Sequence, residues 1–104
     1  MSSKRVEYAV KDGLARITLI NEHEYNSISL QTCEEFAAAA AASRKDSFVK
    51  AVLLEARGNV FSVGGDINGF VANKDRIHDH VMAMTDGFHA AITDLREGTA
   101  PYIV

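Results

Sequence analysis

The sequence predicts one α/β domain with strands and helices interleaved in the order β-β-α-β-(short α)-α-β. Three observations predict it. Two runs that alternate apolar and polar residues meet at Asp12-Gly13. Apolar residues recur at helical spacing between Leu30 and Ala40, and again between Ile77 and Leu95. A continuous apolar run lies between those two helical segments. At 104 residues the chain has the length of a single domain, assigned here to residues 1–104. Its 47% hydrophobic and 24% charged residues are enough for a modest core.

Val6-Glu7-Tyr8-Ala9-Val10 alternates with a period of two, as does Leu14 to Ile20. Asp-Gly between such runs favours a two-residue hairpin turn, because both turn positions need positive φ. The polar stretch Asn21 to Ile28 reads as irregular. Ser29 is placed to cap a helix that begins at Leu30. Leu30, Cys33, Phe36, Ala37 and Ala40 share one face of that helix, and the alanine run 37–42 has high helix propensity. Lys45-Asp46-Ser47 ends it. Phe48 to Glu55 is predominantly apolar, which predicts a strand buried on both faces. A loop follows, then Gly64-Gly65, then a short helical segment from Asp66 to about Ala72. From Arg76 a long helix is expected, with Ile77, Val81, Met84, Phe88, Ile92 and Leu95 as its buried stripe and Glu97-Gly98 as its stop. Pro101 to Val104 reads as the beginning of a further strand.

The totals exclude several function classes. A net charge of −3 and the lack of a basic stripe argue against a nucleic-acid surface. The uncharged stretch Phe36 to Ser43 is too short to span a bilayer, and "MSSKRVEY" lacks the apolar centre of a secretory signal. Cys33 is the single cysteine, so an internal disulfide is impossible, and a reducing, cytoplasmic location is expected. On the apolar face of its helix, Cys33 reads as an inert thiol. His78 and His80 are two residues apart and diverge on a helix, so no metal site is expected.

The stretch most suggestive of chemistry is Asn59 to Phe70, "NVFSVGGDINGF". Two glycines at a strand-to-helix junction permit positive φ and a close approach to the backbone. The pattern is neither a dinucleotide fingerprint nor a phosphate loop, since no G-x-G-x-x-G and no Gly-Lys-Ser/Thr is present. On these residues alone it is either an ordinary turn or a backbone N–H presented to a ligand. Asp66 is a candidate helix cap or an acid/base carboxylate. Glu22 and Glu24 are candidate carboxylates or a solvated loop.

Two blocks resemble the enoyl-CoA hydratase/isomerase (crotonase) superfamily. "ARITLINEHEYNSIS" is similar to the family's second strand and the loop that follows it, with Asn26-Ser27-Ile28-Ser29 at the family's Asn-Ala-Leu-Ser position. "FVKAVLLEARGNVFSVGGD" resembles the next signature, with Phe61, Ser62, Gly64, Gly65 and Asp66 in place. "TAPYIV" is similar to the family's Pro-containing strand entry. The resemblance runs from about Val6 to Val104. It implies the N-terminal portion of a crotonase spiral built from β-β-α turns. It implies an acyl-coenzyme A thioester as substrate and no separate cofactor; a homo-oligomer is expected because so short a spiral would leave a strand edge and helix faces uncovered. Gly65 would supply one of two oxyanion-hole N–H groups, with Gly64 giving the backbone room. Val63 would meet the adenine, and Glu24, Tyr25 and Asn26 would flank the nucleotide part. Asp66, Ile67 and part of the long helix would border the acyl group.

Two departures qualify the implied activity. Glu22 and Glu24 stand where the family carries an Arg-Pro pair and often a basic residue, and they would repel coenzyme A phosphates unless they point away. The family's second oxyanion-hole glycine and its catalytic glutamates lie beyond the position of Val104. The 104 residues are therefore expected to be inactive alone. An alternative expectation is a non-catalytic domain of the same descent that self-associates or binds a partner, its strand at Pro101–Val104 unpaired.

Overall fold

The computed structural model describes residues 3–104. Four strands form one sheet in the order β1-β2-β3-β4. Strands β1 (Val6–Lys11) and β2 (Leu14–Leu19) are antiparallel, with Val10 opposite Ala15 and Lys11 opposite Leu14. Asp12 and Gly13 connect them with φ of 53° and 83°, so the predicted hairpin turn is present. Helix α1 (Leu30–Lys45) crosses over to β3 (Ala51–Ala56), which pairs parallel to β2. A short helix α2 (Ile67–Ala72), one 3-10 turn and the long helix α3 (Ile77–Glu97) lead to β4 (Tyr102–Ile103), parallel to β3.

The period of two along each strand sorts the side chains. Val6, Ala15, Ile17, Leu19 and Val52 are buried with Phe36, Ala39 and Ala40 of α1 and Ala91 and Leu95 of α3. On the opposite face charged side chains stand among Leu14 and Leu53. Arg16 pairs with Glu55 at 2.9 Å and Arg57 with Glu7 at 3.1 Å. Helix α1 begins as its sequence demands: the Ser29 hydroxyl accepts the Thr32 N–H at 3.2 Å. The alanines keep α1 slim, so α3 lies close against it. At Gly87 a side chain would come within 3.3 Å of the Cys33 carbonyl oxygen.

Several expectations need correction. The third strand starts at Ala51 and is buried mainly through Val52. Phe48, expected inside it, is 80% exposed. It sits in a turn fixed by its N–H donating to the Asp46 carboxylate, and helices cover only one face of the sheet. The long helix starts at Ile77, one residue later than expected. Its predicted stripe is buried at Met84 and Leu95 only, while Ile77, Val81 and Phe88 keep 37–41% exposure. For Ile77 and Val81 the cause is geometric: α1 is sixteen residues and α3 twenty-one, so the start of α3 outruns its partner; Phe88 packs against Phe36 of α1, ring centroids 5.6 Å apart. The strand at the chain's end is paired with β3 on one side, Val52 N–H donating to the Pro101 carbonyl at 2.9 Å.

One carboxylate ties the N-terminal segment to α1. Glu35 accepts the N–H groups of Arg5 and Val6 at 2.8 and 2.9 Å, and the Gln31 amide at 2.6 Å. Burial by itself pushes this carboxyl up. The bonds from Gln31, Arg5 and Val6, with Lys4 nearby, outweigh it and hold the carboxyl below its ordinary value of 4.5. A depressed carboxyl contributes stability that is present above the unfolded value and lost as pH falls through the folded one. Urea midpoints are therefore expected to decline below about pH 4.5, and Glu35→Gln should flatten that decline.

Candidate functional site

The loop after β2 and the loop after β3 are stitched together by a short parallel ladder. Val63 N–H donates to the Tyr25 carbonyl at 3.2 Å and Ile28 N–H to the Gly64 carbonyl at 2.7 Å. Asp66 N–H closes the ladder on the Ile28 carbonyl at 2.8 Å. Ile28 and Gly65 form its bridge. In a parallel bridge the N–H and C=O of one partner point away from the other. Gly65 is that partner.

Asn26 is the clamp of this arrangement. It is 2% exposed and sits at φ 53°, in the left-handed region that asparagine tolerates better than most residues. Its Oδ1 accepts Asn21 N–H at 2.9 Å, and its Nδ2 donates to the carbonyls of Arg57 and Val60 at 2.9 and 3.1 Å. Its own carbonyl accepts the Ser62 hydroxyl at 2.7 Å. The side chain thus spends its capacity inside the protein and positions the bend around Gly64.

The two glycines divide the work differently from the expectation that Gly64 makes room. Gly64 has φ 94°, and a side chain there would meet nothing within 4 Å. Its glycine serves conformation. Gly65 has no positive φ, but a Cβ would fall 2.8 Å from the Phe70 ring. Its glycine serves proximity. The neighbouring amides are occupied: Gly64 N–H donates to Ser62 Oγ at 3.0 Å and Asp66 N–H to Ile28. Among the described residues, the Gly65 N–H has no acceptor, and Gly65 is exposed.

The other candidate residues fall around this bend. Asp66 occupies the N-cap position of α2, but its carboxylate makes no capping bond. It lies instead beside Gly69, where a side chain would come within 3.0 Å of its Oδ2. Ile67 and Val63 are 71% and 60% exposed. Tyr25, at φ 56°, is exposed as well. Glu24 turns toward Arg5, 3.4 Å away, and Glu22 packs its Cβ against Gly58. Cys33 is buried, and burial together with Glu34 raises its thiol pKa, as an inert thiol requires. Sequence reasoning overlooked Ile28 and Phe70. Neither residue type signals chemistry, and each acts through a contact across the chain.

A sequence model of the enoyl-CoA hydratase/isomerase family matches residues 9–103. The chain belongs to the enoyl-CoA hydratase/isomerase family. Within that family it is 39% identical, over 67 residues, to a trans-2-decenoyl-[acyl-carrier-protein] isomerase of Streptococcus mutans. That match covers 64% of this chain and 26% of the isomerase. Solved structures agree on the fold. An enoyl-CoA hydratase/isomerase from Xanthobacter autotrophicus superposes with TM-score 0.81 at 25% identity, over 97% of this chain and 38% of that one. A Legionella pneumophila protein assigned to the same crotonase class gives TM-score 0.84 at 17% identity, over 97% and 39%. The chain thus spans about a quarter to two-fifths of the length of these relatives and has the fold of the crotonase N-terminal portion.

Proposed function

We propose that this chain carries the first half of a thioester-enolate site, with the Gly65 N–H as one of two donors to the substrate oxyanion. The observation that carries the reading is the free Gly65 amide between two amides that are already bonded. Rigid neighbours hold such a donor in place before substrate arrives, which is what oxyanion stabilisation requires. The substrate would be an acyl thioester of coenzyme A. The S. mutans relative, named for an acyl-carrier-protein thioester, suggests the same reacting group on another carrier. Hydration or double-bond migration of a 2-enoyl thioester would be the reaction of the whole protein. Val63, Gly64, Asp66 and Ile67 would border the ligand, with Glu24 and Tyr25 at its nucleotide end. Asn26 would act through the ladder.

By themselves these residues would not turn substrate over. A donor in water competes with solvent for the oxyanion, and oxyanion holes work where water is excluded. Gly64 and Gly65 are both exposed. The purified 104-residue chain is expected to leave crotonyl-CoA unhydrated in an absorbance assay, and measurable turnover would refute this.

A second reading, a self-associating domain, is favoured by a different observation. Ile67, Val71, Ile77, Val81 and Met82 on α2 and α3 are all 37–71% exposed, and the outer edge of β4 is open. Apolar patches and free strand edges seek partners. Light scattering at micromolar concentration is expected to give a multiple of 11.3 kDa. A single monomeric species would count against this reading.

A further inference from the structure

We infer that the cavity enclosed by α1, α3, the sheet and the Phe61–Ser62 loop is a binding site for a small apolar ligand, a single ring or a short hydrocarbon chain. The cavity measures about 190 Å³. Leu19, Leu54, Ile28, Cys33 and Ile92 line it, together with Phe36 and Phe88, whose rings pack edge to face with centroids 5.6 Å apart. Phe61 and Phe88, 47% and 37% exposed, stand at its mouth and give a route of entry.

The polar atoms on its wall are already engaged. The Thr32 hydroxyl is bonded to Ser29 Oγ at 3.0 Å. The Ser62 hydroxyl donates to the Asn26 carbonyl and accepts the Gly64 N–H. A water inside would need two to four polar partners, and the wall offers a weakly bonding thiol and the residual capacity of two hydroxyls already bonded elsewhere. Water is therefore a poor occupant and an apolar molecule a good one. An apolar cavity of about 150 Å³ is enough for benzene, and this one is somewhat larger. It is too small for the drug-sized ligands that occupy pockets of about 300 Å³ or more, which sets the ligand class. Because Ser62, on its wall, also holds the Gly64 N–H, an occupant would brace the bend that carries Gly65.

The probe is benzene, titrated into the 104-residue chain with methyl groups observed by NMR. Saturable shifts are expected at Leu19, Ile28, Leu54 and Ile92, with a rise of a few degrees in Tm. Cys33→Leu and Leu54→Phe add volume to the walls and should weaken binding at least tenfold. Should either variant fail to fold, pyridine on the unaltered chain supplies the control. It has the shape of benzene but a polar nitrogen, and it should bind at least tenfold more weakly. Shifts that are scattered or do not saturate would overturn the inference, as would equal binding of pyridine and benzene.

Discussion

Asn26→Ala is expected to lower unfolding stability by about 3–4 kcal/mol, a large share of what a domain of this size possesses. The substitution removes three side-chain hydrogen bonds at once. It strands the Asn21 N–H and the carbonyls of Arg57 and Val60, in surroundings where water replaces them incompletely. Each buried group left unpaired costs about 1–3 kcal/mol. Alanine also accepts φ 53° less readily than asparagine. Asn26→Gly separates the two causes, since it keeps the conformation and loses the bonds. Urea denaturation should place Asn26→Gly slightly above Asn26→Ala and both far below the parent. Equal midpoints for all three would show that the clamp contributes nothing.

The second large effect concerns the glycine pair, where two substitutions of similar appearance should fail for different reasons. Gly64→Ala strains the backbone at φ 94° while touching nothing, at a cost of about 1–2 kcal/mol. No change elsewhere in the side chains should recover it. Gly65→Ala places a methyl 2.8 Å from the Phe70 ring, an overpacking of about 1–3 kcal/mol. Phe70→Leu removes the obstructing ring atoms, so the double variant should regain much of the lost stability. A double-mutant cycle measured by denaturation decides it. Strong coupling between Gly65 and Phe70, with none between Gly64 and Phe70, is the expected outcome. Equal coupling would refute the division of roles.

Much of this architecture is legible in the sequence, because local chemistry specifies it. The Asp12-Gly13 turn, the Ser29 cap and the period of α1 each depend on residues within a few positions of one another. The bend at Gly64-Gly65 is legible too, since few residues other than glycine accept its backbone. Contacts that join distant segments were not legible. Nothing around Asn26 announces that its amide bonds carbonyls 31 and 34 residues away. Phe48 looks like strand because its composition is right, but one face of the sheet has no helix to cover it. The stripe on α3 has a helical period throughout. Period alone reveals which face is apolar, not how far along the helix a partner reaches.

The unequal lengths of α1 and α3 have a mechanical meaning for the site. Helix α3 is a beam clamped at one end. Met84, Ala91 and Leu95 fix it to the body from Met84 onward, while Ile77 to Met82 overhang. The free end carries α2, and α2 carries Phe70, whose ring rests on the Gly65 bend. The ring against the Gly65 bend is thus mounted on the overhang rather than on the clamp. Covering Ile77, Val81 and Met82 would therefore stiffen the support of the Gly65 bend without touching it.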